Sequence, residues 1–327
     1  MSRVIPLNGA KPLGMQSSKK ELMAQVAWLY FVGNNTQQEI AQRLNISRPT
    51  INRMISLATE SGMVQVRINH PIRECMDLAS KIQQRFGLSM CEVAPLESPD
   101  EAVGQRRIAV LGSAVMERYL ADPSLGVMAV GFGRTLKAVV DEIAELRAPQ
   151  LSIISLAGSV ARDGSFNSYD VGLRLADKTS GKAFLQPMPI IANTADERDQ
   201  WLDNRLTSLI KDLYSQAEVA FVGIGEVQVN CALVQNGFLS PEEAKSLAEQ
   251  GAVGEILGWA MDRQGAPINE GWSERVTSLP LPRLAERPII AFAGGERKIP
   301  AILAALRGRW ISGLITDQQT AHQLATL

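Results

Sequence analysis

Two histidines and three cysteines are all that a chain of 327 residues contains. So few imidazoles exclude a histidine-rich metal centre. Cys75, Cys91 and Cys231 are scattered, without the spacing of a zinc site or of a disulfide framework, and thiols used this way fit a reducing cytoplasm. No apolar run reaches the ~20 residues that a membrane span needs. The first 17 residues also lack the apolar core of a signal peptide, so no membrane partner is expected. There is no G-x-x-x-x-G-K-[ST] loop, which argues against a fused sugar kinase. Internal repeats and low-complexity stretches are missing as well.

What is present fits a globular protein, with 46% hydrophobic residues and a mean hydropathy of −0.01. At ~100–200 residues per domain the length suggests two domains. The net charge of −1 conceals an asymmetry. Residues 1–70 carry eight Lys and Arg against three acids, a net +5, which leaves −6 on the rest. A basic head on an acidic body suits a head that meets the phosphate backbone of nucleic acid. Residues 1–18, with Pro6, Gly9, Pro12 and Gly14, read as a disordered arm.

The stretch Gln37–Ile55 has the pattern of a helix-turn-helix. Thr36 followed by Glu39 is a capping box. Ile40, Ala41 and Leu44 form an apolar face, and small Ala41 permits a close helix crossing. Asn45 tolerates the left-handed backbone of the turn. Ser47 is expected to cap the second helix and Pro49 to occupy its first turn. Ile51, Met54 and Ile55 then point inward. Gln37, Ser47, Arg48, Thr50, Asn52 and Arg53 are left on the outer face. Arg pairs with guanine, Asn with adenine, and Ser or Thr reach phosphates and base edges, so this face suits the major groove of double-stranded operator DNA. Lys19–Asn34 reads as a supporting helix. After the stop at Glu60-Ser61-Gly62, Met63–Ile68 alternates as a wing strand would, with Arg67 facing either phosphate or solvent. Residues 19–70 are thus expected to be a winged helix-turn-helix, and residues 71–86 a linker helix.

From residue 87 to 327 strand and helix signals alternate. Solid apolar runs at Val127–Val130, Leu151–Leu156, Ala183–Leu185, Val219–Val222, Pro288–Phe292 and Trp310–Ile315 predict a doubly wound parallel sheet covered on both faces, an α/β domain. Ligands of such sheets bind at the carboxyl ends of strands. Glycine-rich loops follow several of them. Gly131-Phe132-Gly133-Arg134-Thr135 serves either a tight turn or an anion cradle at a helix start. Gly158 and Asn167 follow the next strand, and Gly223-Ile224-Gly225 a later one. Gly294 and Gly295 with Lys298 form a second candidate cradle.

The head together with GFGRT, FVGIG, GAVGEILGWAMDRQG and AGGERK, in that order, resembles the SorC-type (SorC/DeoR) sugar-responsive transcriptional regulators. The resemblance covers nearly all of the chain beyond residue 17. It implies a Rossmann-like effector domain similar to sugar-phosphate isomerases and deaminases, a phosphorylated sugar or polyol as effector, and a tetramer, usually repressing. On this resemblance Gly131, Gly133, Arg134, Thr135 and Lys298 hold the phosphate, while Asn167, Gln186, Glu255 and Asp262 meet sugar hydroxyls. Glu255 stands where the family commonly has Asp. Asp262 also reads as a plain turn residue before Gly265, and Gln186 as a group that satisfies backbone. The implied protein has no cofactor and is not an enzyme. Two alternatives stay open: a sugar-phosphate isomerase or deaminase with a DNA-binding head, and a regulator sensing an unphosphorylated metabolite.

Overall fold

The computed structural model describes residues 19–64, 71–96, 100–161, 163–269, 271–281 and 287–327. The chain divides into two compact units, with the boundary between residues 69 and 70.

The first unit holds α1 (Lys19–Phe31), α2 (Gln37–Leu44) and α3 (Arg48–Glu60). The capping box at Thr36 and Glu39 is formed, and Asn45 closes α2 in the left-handed conformation (φ 54°, ψ 45°). Val26, Leu29, Ile40, Ala41, Ile51 and Ile55 make the core. Gly62 follows the end of α3. Most of the expected wing, Met63–Ile68, falls on residues 65–70 and lies outside the described residues.

The second unit contains α4 (Pro71–Phe86), β1 (Met90–Ala94), α5 (Glu101–Leu120), β2 (Val127–Val130), α6 (Arg134–Glu142), β3 (Ser152–Val160), α7 (Gly172–Thr179), β4 (Lys182–Pro189), α8 (Ala195–Leu202), α9 (Arg205–Ser215) and β5 (Val219–Gly223). It continues with β6 (Gly225–Glu226), α10 (Ala232–Gln235), α11 (Pro241–Glu249), β7 (Gly254–Ile256), β8 (Trp259–Met261), β9 (Ile289–Phe292), α12 (Ile299–Arg307), β10 (Gly313–Asp317) and α13 (Gln318–Thr326). Seven parallel strands lie in the order β1-β10-β9-β5-β2-β3-β4. The expected linker helix is α4, which packs on β1 and α13 inside this unit. The helical stretch 195–215 is broken into α8 and α9 because the Asn204 side chain starts a new helix by accepting the Thr207 N–H.

Strand parity sorts the core into two layers, as a sheet covered on both sides requires. Ala129, Ala220, Val222, Ala291 and Leu314 pack with residues of α4, α9, α12 and α13. Met128, Val130, Phe221, Ile290 and Phe292 pack with α5, α6 and α7. Phe221 and Phe292 stack with centroids 5.7 Å apart. Full burial of such a side chain is worth ~1.5–3 kcal/mol. A small antiparallel sheet, β6-β7-β8, joins the end of β5 to the hairpin at Leu257-Gly258. Among the described residues no helix is long and apolar enough to cross a membrane.

Candidate functional site

On the head, Arg48, Thr50, Asn52 and Arg53 are all exposed along the start of α3. Gln37 reaches across from α2, and its Nε2 donates to Asn52 Oδ1 at 3.1 Å, which fixes the Asn52 amide in one orientation. Ser47 has the extended backbone of a cap, yet its hydroxyl accepts no backbone N–H. It lies 2.8 Å from the Thr50 hydroxyl instead. Ser47 thus occupies the N-cap position of α3 as expected, but the hydroxyl–hydroxyl bond replaces the expected side-chain cap.

In the second unit the chain enters at the edge strand β1, crosses to β2, runs outward through β3 and β4, and returns on the other side of β2 at β5. The order reverses between β2 and β5, and this is where open α/β sheets leave a crevice at the carboxyl ends. Gly133 starts α6 at φ 128°, a backbone that side chains disfavour, and no side chain caps the helix. The first N–H groups of α6 thus have no side-chain cap. The exposed Arg134 guanidinium stands at this end. The loop after β3 joins the loop after β2, with the Gly133 N–H donating to Tyr169 O at 3.2 Å and Phe132 bridged to Asp170.

Two buried side chains near the end of β3 have unused polar atoms. Asn167 accepts the Tyr169 N–H on Oδ1 at 3.0 Å, and its Nδ2 has no partner among the described residues. Gln186 donates to Ser155 O at 3.0 Å, and its Oε1 is likewise unpartnered. Unpaired groups of this kind are expensive to bury. Beside them, Asp170 accepts the Ser155 hydroxyl (2.9 Å) and the Gly172 N–H (2.8 Å), and burial raises its carboxyl above the ordinary value.

On the β5 side a buried charge cluster closes the crevice. Lys298 Nζ donates to Ile224 O at 2.8 Å. Burial holds this amine below the usual lysine range; Glu226 pulls it back up, and Arg134 is near enough to press it down. Arg134 and Lys298 are thus within electrostatic reach of each other. Glu255 is buried, with Oε2 accepting the Gly258 N–H at 2.7 Å. Its carboxyl is pushed up to about 7, chiefly by burial and further by Glu226, against the Gly258 bond and Lys298. Arg297 lies 3.5 Å from Glu226. A Cβ at position 225 would sit 2.0 Å from Glu255 Oε1, so any side chain there would displace that carboxylate.

The structure corrects three candidate residues. Gly294 and Gly295 form no anion cradle: the Gly295 N–H donates to Thr320 Oγ1 (2.8 Å) and Asp317 Oδ2 (3.2 Å), and the Asp317 carboxylate lies behind the loop and would repel an anion. Asp262 is a turn residue. Its Oδ1 accepts the N–H groups of Gln264 (2.9 Å) and Ala266 (2.8 Å). That turn packs on the end of α12 opposite Lys298, through Trp310 Nε1 to Gly265 O at 2.7 Å. Nine helical residues separate the two ends, about 13 Å. Thr135 is buried in the first turn of α6, its hydroxyl without a partner among the described residues, whereas the Gly131 N–H is taken by Phe221 O at 2.8 Å and shapes the loop. Gly158 lies against Met188 O and lets β3 and β4 approach closely. Sequence reasoning missed Glu226, although it directly follows the glycine loop Gly223-Ile224-Gly225.

A DNA-reading helix pair joined to an open α/β unit with a crevice at its switch point defines a ligand-responsive DNA-binding regulator. Residues 70–326 match the sugar-binding domain family, and residues 33–65 match the winged helix-turn-helix DNA-binding family. The erythritol catabolism regulatory protein EryD of Brucella abortus is 34% identical over 310 residues, 95% of this chain and 98% of EryD. The deoxyribonucleoside regulator of Bacillus subtilis is 29% identical, covering 95% and 99%. The full-length sorbitol operon regulator SorC of Klebsiella pneumoniae superposes with a TM-score of 0.69 at 26% identity, over 95% of this chain and all (100%) of SorC. The chain belongs to the SorC/DeoR-type sugar-responsive transcriptional regulators. It is a regulator of sugar-related metabolism.

Proposed function

We propose that the chain is a cytoplasmic, homotetrameric repressor whose grip on operator DNA is altered by a phosphorylated sugar or polyol, without catalysing a reaction. The observation that carries this is the uncapped start of α6 with Arg134, set beside the unpartnered Asn167 Nδ2 and Gln186 Oε1. Helix start and guanidinium suit a phosphate. The amide donor and acceptor suit hydroxyls. Relatives named for erythritol and sorbitol favour a polyol or sugar over other metabolites.

A second reading, an unphosphorylated polyol, is favoured by one observation: Lys298 is already compensated by Glu226 and Glu255. A thermal melt against paired polyols and sugars, with and without phosphate, separates the two, since a ligand of the folded state raises the midpoint. The expected result is a rise with a phosphorylated member and none with its parent. The reverse supports the second reading, and turnover of any phosphosugar would revive the enzyme.

For the head, Arg53→Ala is expected to weaken operator binding by ~1–3 kcal/mol, as loss of one bidentate base contact does. Filter binding at several salt concentrations measures it. Ligand affinity is expected to stay unchanged, and a parallel fall in both would mean unfolding rather than a lost contact.

A further inference from the structure

Helix α9 carries an apolar face with nothing over it. Leu206 is 62% and Leu209 48% exposed. At about 100° per residue, Arg205, Leu206, Leu209, Asp212 and Leu213 share one arc of about 120°. Grooves flank this ridge. One, of about 610 Å³, runs between α9 and the edge strand β4, lined by Ala183, Phe184, Leu185 and Leu213. Another, of about 350 Å³, lies towards Trp201 and Asn204. Contiguous exposed apolar surface of this kind marks an interaction site.

The charges on the stripe name the occupant. Arg205 and Asp212 are exposed, and neither side chain has an ion pair or hydrogen bond among the described residues. They stand seven residues apart, at the two ends of the apolar ridge. When two copies of α9 cross antiparallel about a twofold axis between Ser208 and Leu209, each Arg205 falls against the partner's Asp212, and the leucine ridges meet beside the axis. One surface is then complementary to itself, which is what a twofold contact requires. Strand addition on the free edge of β4 fits less well, because Pro187 and Pro189 interrupt it. Alone, a helix of 11 residues falls short of the ~800 Å² per copy of a stable contact, and the grooves on both sides widen the face.

The geometry points to α9 as one half of a twofold contact between two copies of this chain, in which Leu209 meets its own counterpart and Arg205 pairs with the partner's Asp212. This rests on the oligomer in the reading above and names its surface.

The test uses the full chain and light scattering after size exclusion. Arg205→Asp alone is expected to lower the oligomer mass by half or more, and Arg205→Asp with Asp212→Arg to restore it. Leu209→Asp is expected to lower it without changing the circular dichroism, because the side chain is exposed. Leu209→Cys is expected to give a covalent dimer under mild oxidation, while the native chain, whose three cysteines are buried, gives none. A monomeric native chain would overturn the oligomer and this contact together. A native oligomer whose mass survives Arg205→Asp and Leu209→Asp, or a Leu209→Cys chain that fails to cross-link, would overturn the contact alone.

Discussion

Arg134→Ala is expected to lower affinity for a phosphorylated effector about 10- to 100-fold, the loss of one or two charge-assisted hydrogen bonds at ~1.5–3 kcal/mol in all. Affinity for the unphosphorylated parent should stay within about twofold, since no charged partner is lost, and so should operator binding without ligand. Titration calorimetry with the paired compounds reads all of it. The geometry behind the expectation is that Arg134 begins α6, stands exposed, and has no ion pair among the described residues. The variant therefore removes a cation from the site without breaking a contact in the fold. Lys298→Ala is a poorer probe. Lys298 holds Ile224 O and faces Glu226 and Glu255, so its loss leaves Glu226 to Arg297 alone and Glu255 without its facing cation, and weakens the fold along with the site. Equal losses for the phosphorylated and unphosphorylated compounds on Arg134→Ala would remove the phosphate from the start of α6.

The parts of the molecule legible in the sequence are those where local chemistry and tertiary packing agree. Thr36, Glu39, Asn45 and Pro49 each have one strong local preference, and α2 and α3 satisfy them. Val127–Val130 and Val219–Val222 are uniformly apolar because both faces of the sheet are covered, and they fall at β2 and β5. The small sheet is different. Its strands are two or three residues long, too short for any periodicity, and Gly225 and Gly254 carry no side-chain signal. That hairpin brings Glu255 to Lys298, so the charge cluster stayed invisible with it. The glycines at 294 and 295 misled for a related reason. A glycine loop before a helix looks the same in sequence whether its N–H groups face a ligand or, as here, a carboxylate supplied by Asp317 from β10. Ser47 shows the same limit at short range, since a cap position does not say which partner the hydroxyl takes. Asn167 stands out by its place after a strand and Gln186 only through the resemblance, and the three-dimensional packing adds what neither signal holds, the polar atoms left unsatisfied at the end of β3.

Glu255→Gln is expected to stabilise the second unit at pH 8 and to have little effect at pH 4.5. The carboxyl moves from an ordinary 4.5 to about 7 in the fold, with burial as the main cause. Between those values the folded chain holds a proton that the unfolded chain has released, so stability falls as pH rises. The contribution is fully present below the unfolded value of 4.5 and is lost as pH climbs through 7. A difference of that size corresponds to roughly 3 kcal/mol. Glutamine keeps the shape, can still accept the Gly258 N–H, and carries no charge to desolvate. At pH 8 the variant should therefore unfold at higher urea, by up to roughly 3 kcal/mol on extrapolation, and the gap should close on acidification. Urea midpoints at both pH values measure it. A gap that does not change with pH would mean that Glu255 titrates as a solvated carboxylate. The crevice would then be open to water at the end where a buried acid now faces Lys298.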